Sequence, residues 1–206
     1  MIAVIDYGVG NLFSLSSSLK AVGADSVITC DPEIISGADK ILLPGVGAFR
    51  DAREKLTSSG LDRLIIDEVR SGKKIMGICL GMQMLFEKSY EYGEYQGLGL
   101  LRGSVVGMEG RLPPEYKIPH IGWNALNLKS THPIFKYVNE GDYVYFVHSY
   151  YAENCHDSLL ATTEYGAELT AAVARLNVTG TQFHPEKSGD VGLGILKAFC
   201  EWRYDE

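Results

Sequence analysis

The hydrophobic pattern changes character about halfway along the chain. In the first half, short apolar runs alternate with stretches of helical period. Residues 2–6 form an apolar run that ends at Gly8-Val9-Gly10. Asn11 suits an N-cap, and Leu12, Leu15, Leu19 and Val22 recur on one face of the helix it would start. Residues 40–43 are a second apolar strand, closed by Pro44-Gly45-Val46-Gly47. Leu61, Leu64, Ile65, Glu68 and Val69 carry the period of the next helix, which Gly72 stops. Residues 74–79 are a third strand, and residues 80–88 read as a helix that follows it without a loop. This alternation predicts a mostly parallel sheet with helices on both faces.

The second half is richer in strand signals, at residues 117–123, 125–128, 143–151, 159–163, 170–175 and 178–183. Residues 92–99 and 107–115 read as loops, and residues 191–203 return to a helical pattern with Ile195, Leu196, Phe199 and Trp202. No repeat, low-complexity tract or linker interrupts the chain. The expected architecture is one α/β domain over residues 1–206. Its central, mostly parallel sheet is flanked by helices, with antiparallel strands added in the second half.

Composition narrows the function. Hydrophobic residues are 46% and charged residues 22% of the 206, which suits a globular fold with a full core. A net charge of −7 offers no basic field for nucleic acid. No run of 18 apolar residues suggests a membrane span, and the start MIAVIDYG has no basic segment of the kind that opens a signal peptide. Cys30, Cys79, Cys155 and Cys200 are scattered without a CxxC pair. That argues against a disulfide framework or a zinc site and makes the cytoplasm the expected compartment.

A cysteine at the end of an apolar strand is ordinarily a small core residue. Three features set Cys79 apart. Gly77-Ile78-Cys79-Leu80-Gly81 is a G-x-C-x-G sequence, the thiol counterpart of the nucleophile elbow, in which a strand turns sharply into a helix and holds its middle side chain above the sheet. The N-terminus of that helix favours a thiolate, and the Leu80 N–H points where an oxyanion would form. His184-Pro185-Glu186 follows a predicted strand, and in extended backbone residues two apart face the same way. Glu186 can therefore hold His184 as a base for Cys79. Taken alone, the His-Pro-Glu segment reads equally well as a strand end with a surface ion pair.

GICLGMQ (77–83) and QFHPEKS (182–188) resemble the triad-type class I glutamine amidotransferases, and PGVGAF (44–49) is similar to the segment that supplies that family's second oxyanion donor. DYGVGNL (6–12), PHIGWN (119–124) and FVHSYY (146–151) resemble, within that family, the glutaminase subunits of imidazole glycerol phosphate synthases of histidine biosynthesis. The resemblance implies a flavodoxin-like fold and no cofactor. It implies Cys79 as nucleophile, His184 as general base and acid, and Glu186 as its orienter. The oxyanion hole would be the Leu80 N–H with one from Val46 or Gly47. Gln83, Ser149 and Tyr150 would bind L-glutamine, the last two at its α-carboxylate or α-amino end. The partner would be a separate (β/α)8 synthase subunit forming a heterodimer, since 206 residues cannot also hold such a barrel. Asn11, Trp123, Asn124, Tyr145 and Lys187 would lie at that interface, with Trp123 alternatively a core aromatic. The Pro44–Gly47 segment would align for catalysis only once the partner is docked and liganded. The alternatives are a glutaminase of another biosynthetic complex, a cysteine hydrolase of similar fold, and a non-catalytic binding subunit.

Overall fold

The structure is a computed structural model and describes residues 1–203. The first half builds β1 (Ile2–Ile5), α1 (Leu12–Ala21), β2 (Ser26–Thr29), α2 (Pro32–Gly37), β3 (Lys40–Gly45), α3 (Phe49–Ser58), α4 (Leu61–Arg70), β4 (Lys74–Cys79) and α5 (Leu80–Met84). The second half adds β5 (Phe86–Ser89), β6 (Tyr95–Gln96), β7 (Leu101–Gly107), β8 (His120–Ala125), β9 (Asn127–Leu128), β10 (Tyr143–His148), β11 (Tyr150–Glu153), β12 (Leu159–Glu164), β13 (Glu168–Arg175), β14 (Val178–Thr181) and α6 (Gly189–Glu201).

The main sheet has the order β2-β1-β3-β4-β14-β13-β12-β9. From β2 to β14 every neighbouring pair is parallel, and from β14 to β9 every pair is antiparallel. The expected parallel sheet with antiparallel additions is therefore present. Its central strands are buried on both faces, which is why they read as continuous apolar runs. Ala3, Ile5, Ile41, Leu43 and Ile75 pack on one side with α3 and α4; Val4, Leu42, Met76 and Ile78 pack on the other with α1 and α6. Full burial of each large side chain contributes roughly 1.5–3 kcal/mol.

Three sequence expectations are corrected. The helix over 80–88 stops at Met84, and Phe86–Ser89 is strand β5. The N–H of Leu98 donates to the Met84 carbonyl, and those of Leu100 and Leu101 to the Leu85 carbonyl, so the groups that would continue the helix are already taken. The strand over 143–151 is two strands. β10 pairs with β8 in a two-stranded sheet, and after Ser149 β11 pairs with β7 in a four-stranded one. The loop over 92–99 contains β6, and β2, α2, α3 and β7 arise in stretches where the pattern had marked no element.

Candidate functional site

β4 runs directly into α5, and Cys79 is the junction, with φ 54° and ψ −111°. A non-glycine residue there costs about 1–3 kcal/mol and persists only where its surroundings leave no alternative. The glycines supply that constraint. A Cβ on Gly81 would lie 1.8 Å from the Leu43 carbonyl oxygen, one on Gly77 2.6 Å from the Gly81 carbonyl, and one on Gly45 2.8 Å from the Gly81 nitrogen. Their absence lets α5 lie against β3 and β4. The elbow pattern sets the thiol above the sheet, where it would be open to solvent. Cys79 is instead only 7% exposed, on the wall of a cavity of about 370 Å³.

Val46, Gly47, Leu80, Gln83, Ser149, Tyr150, His184 and Lys187 line the same cavity. His184 reaches it from the turn after β14, the strand next to β4 in the sheet. Its Nδ1 lies 2.8 Å from Glu186 Oε1, with both side chains almost wholly buried, and Cys79 on the same cavity wall is close enough to act on the ring's charge. Burial alone would push the His184 imidazolium down. The hydrogen bonds and negative charges of Cys79 and Glu186 outweigh it and hold the pKa up at about 9. With Nδ1 committed to Glu186, Nε2 is the nitrogen left for sulfur.

Gln83 is buried, and its Nε2 donates to the Tyr150 carbonyl at 3.1 Å and to Gln182 Oε1 at 3.0 Å. Gln182 Nε2 in turn donates to Cys79 Sγ at 3.7 Å. The Gly47 φ of +93° places it in the region open to glycine. Tyr7 braces the same loop, its hydroxyl donating to the Pro44 carbonyl at 2.8 Å. Burial, with the Cys79 charge adding to it, pushes the Tyr7 phenol well above its usual range.

The residues expected at a partner face do not share the cavity, apart from Lys187. Trp123 is 51% exposed, so it is not a core aromatic. It faces Tyr145 directly across the β8–β10 ladder, ring to ring at 6.0 Å, and the Lys187 ammonium lies 5.8 Å over the Tyr145 ring. Asn124 follows on β8, and Asn11 caps α1, accepting the Ser14 N–H at 3.4 Å.

Three cavity or near-cavity residues escaped the sequence reading. Gln182 stood inside a quoted motif without a role. Glu91 lines the cavity and accepts the Phe49 N–H at 2.6 Å, tying the cavity wall to the start of α3. Burial raises its pKa against that hydrogen bond, with the Asp51 charge adding to the rise. His148 looked like one more residue of an aromatic strand. No local signal marks these positions, because their neighbours come from distant strands. Among the described residues, no group of three His, Cys, Asp or Glu side chains is placed to hold a metal ion, and no helix is long and apolar enough to cross a membrane.

A cysteine in a strained strand-to-helix turn, with an imidazole–carboxylate pair at its side, is the arrangement of an enzyme that works through a thiolate. The family model described as glutamine amidotransferase class-I matches residues 3–201, and the chain belongs to that family. Its similar relatives carry a more particular name. The imidazole glycerol phosphate synthase subunit HisH of Caldanaerobacter subterraneus subsp. tengcongensis is 51% identical over 202 residues, covering 98% of each chain. That of Methanothermobacter thermautotrophicus is 46% identical over 201 residues, again covering 98% of each. Among solved structures, a crystal structure of a glutamine amidotransferase aligns with TM-score 0.75 at 18% identity, covering 96% of this chain and 99% of that one. The structure of PurLQS from Thermotoga maritima aligns with TM-score 0.71 at 21% identity, covering 97% of each chain, and these two likenesses speak for the fold.

Proposed function

We propose that this chain is the glutaminase subunit of an imidazole glycerol phosphate synthase. The observation that carries the chemistry is Cys79 on the wall of a cavity that His184, held by the buried Glu186, also lines. The full-length relatives named as HisH subunits support the particular assignment.

The Cys79 thiolate attacks the side-chain amide carbon of L-glutamine. Negative charge moves to the amide oxygen, which the Leu80 N–H and an N–H of Val46 or Gly47 receive. The tetrahedral adduct collapses, and the departing nitrogen takes its proton from His184, giving ammonia and a γ-glutamyl thioester. His184, now neutral, draws a proton from water, which attacks the thioester and releases glutamate and the Cys79 thiolate. Glu186 keeps the ring in the tautomer that presents Nε2 to these steps. Ser149 and Tyr150 meet the α-carboxylate or α-amino end of the substrate. The Glu91 carboxylate, in the same cavity, suits the α-ammonium. Side chains and backbone carry every step, so the reaction calls for no cofactor.

Ammonia released into water at neutral pH protonates and loses nucleophilicity. A separate (β/α)8 synthase subunit would consume it, making imidazole glycerol phosphate and aminoimidazole carboxamide ribotide as one half of a heterodimer in the cytoplasm. The face around Trp123, Asn124, Tyr145 and Lys187, with Asn11 nearby in the motif set, is the docking surface in this reading. The test is glutamate release with and without such a partner and its nucleotide ligand. Release should rise sharply when both are present. No release under any condition would sink the proposal, and full turnover by the isolated chain would sink the idea that the Pro44–Gly47 segment waits for the partner.

A further inference from the structure

A second line of buried imidazoles runs behind the cavity. His148 ends β10 and stands directly across the ladder from His120 of β8. His148 Nδ1 is 2.9 Å from the Tyr150 carbonyl oxygen, and His148 Nε2 is 3.0 Å from His120 Nδ1. His120 Nε2 is 3.2 Å from Asn124 Oδ1, and Asn124 Nδ2 donates to the Glu164 carbonyl at 2.7 Å. Four links thus run from the Tyr150 carbonyl in the cavity wall, through His148 and the β8 residues His120 and Asn124, to Glu164 at the end of β12. The rings of Phe146 and Tyr165 stack on His120 at 4.9 and 3.9 Å, so it cannot swing out to water.

The hydrogens do not suffice for the links. Both ends of the line are carbonyl oxygens, which only accept. Each link needs one hydrogen between its two atoms. A neutral imidazole brings one, and a carboxamide brings one to whichever link its nitrogen faces, so turning the Asn124 amide over changes nothing. Three hydrogens serve four links. A fourth requires an imidazolium, and burial opposes it. His148 is pushed down to about 3 by burial, with the charges of His120 and His184 acting in the same direction against the Tyr150 hydrogen bond. Burial lowers His120 as well, against its bond to Asn124.

One link is therefore open, and the tautomers decide which. With hydrogen on both Nδ1 atoms, the Tyr150 carbonyl is held and the contact of His120 with Asn124 is lone pair against lone pair. With hydrogen on both Nε2 atoms, Asn124 is held and the Tyr150 carbonyl keeps only the Gln83 amide. We propose that His148 and His120 are positioning residues through which the Tyr150 carbonyl in the cavity and the Asn124 side chain on β8 compete for the same hydrogens. A partner that draws Asn124 away from His120 settles both hydrogens on Nδ1 and closes the cavity end. The consequence for glutamine rests on the glutaminase reading; the hydrogen count does not.

The test is nitrogen NMR of the chain labelled with 15N-histidine at pH 7.5, without ligand or partner, since ring shifts separate protonated from unprotonated nitrogens. Both rings should be neutral, and Asn124→Ala should move both towards the Nδ1–H form. A doubly protonated ring in the parent, or shifts that Asn124→Ala leaves unchanged, overturns the proposal. Glutamine binding in a Cys79→Ala background gives a second reading. Asn124→Ala and His120→Leu both leave the His148 hydrogen free for the Tyr150 carbonyl, so the two variants should shift the glutamine Kd in the same direction and by a similar factor. Opposite shifts, or no shift in either, also overturn the proposal. A Cys79→Ala chain that binds no glutamine would instead count against the glutaminase reading, and the ring nitrogens would still decide the hydrogen count.

Discussion

The backbone N–H of His184 donates to the Tyr145 carbonyl at 3.0 Å. One hydrogen bond therefore separates the candidate base from a strand whose ring meets Trp123 on one side and the Lys187 ammonium on the other. The Tyr145 N–H also donates to Ser188 Oγ at 3.0 Å, so the turn bearing His184 and Glu186 is tied to β10 at both ends. Any molecule that grips this face pulls on the backbone that aims the imidazole.

Cys79→Ser removes the thiolate and keeps the shape. With the synthase partner present, glutamine-dependent product formation should vanish while formation from added ammonium salt continues. Product assays with each nitrogen source check this, and loss of both would refute the division of labour.

Glu186→Gln replaces an acceptor that orients His184 Nδ1 with an amide that can turn its own N–H towards the ring. Glutamine turnover should fall by about 10²–10⁴-fold, the range of a wrong-tautomer defect, without reaching zero. Steady-state kinetics decide it, and an unchanged rate would remove Glu186 from the site.

His184 has a folded-state pKa of about 9, above the ordinary histidine value of 6.5. A raised pKa contributes stability that is fully present below about pH 6.5 and is lost as pH rises through 9. Denaturant midpoints measured from pH 6 to 10 should fall across that window. Cys79→Ala, which deletes the sulfur partner of the ring, should flatten the fall, and an equally steep fall in that variant would show that Cys79 is not the cause.

Two glycines should answer differently to alanine. Gly81→Ala sets a methyl 1.8 Å from the Leu43 carbonyl, and soluble, cooperatively folding protein should not be recovered. Gly47→Ala meets nothing within 4 Å, so its cost is the left-handed backbone alone, about 1–2 kcal/mol. Gly47→Ala should fold with a modestly lower Tm and lose partner-stimulated glutaminase activity, because the segment can no longer rearrange freely. Thermal melts and glutamate release separate the two variants.

Trp123→Ala should leave the fold intact, since half of the ring is exposed, and should weaken binding of the synthase subunit by tenfold or more. Calorimetric titration measures it, and an unchanged Kd would take Trp123 out of the interface.

The local chemistry of the elbow was legible in the chain. Gly77, Cys79 and Gly81 announce a tight strand-to-helix turn because side chains at the two glycines would strike backbone. His184 and Glu186 were legible as a pair two residues apart, but a 3-10 turn over Pro185–Lys187, and not the extended backbone expected, is what joins them. The apolar runs of β1, β3 and β4 revealed a doubly covered parallel sheet, because strands buried on both faces lose the polar half of their alternation. What sequence could not supply is whatever depends on which distant segment lies alongside. The early end of α5 comes from N–H groups of residues 98–101 that take its last carbonyls. The break at Ser149 exists because β10 and β11 belong to different sheets. Glu91 and Gln182 reach the site only through tertiary packing. The four-link line from Tyr150 to Glu164 exists only because β8 and β10 place His120 opposite His148. Steric and backbone constraints act between near neighbours and leave a mark in sequence; hydrogen-bond partners chosen across the fold leave none.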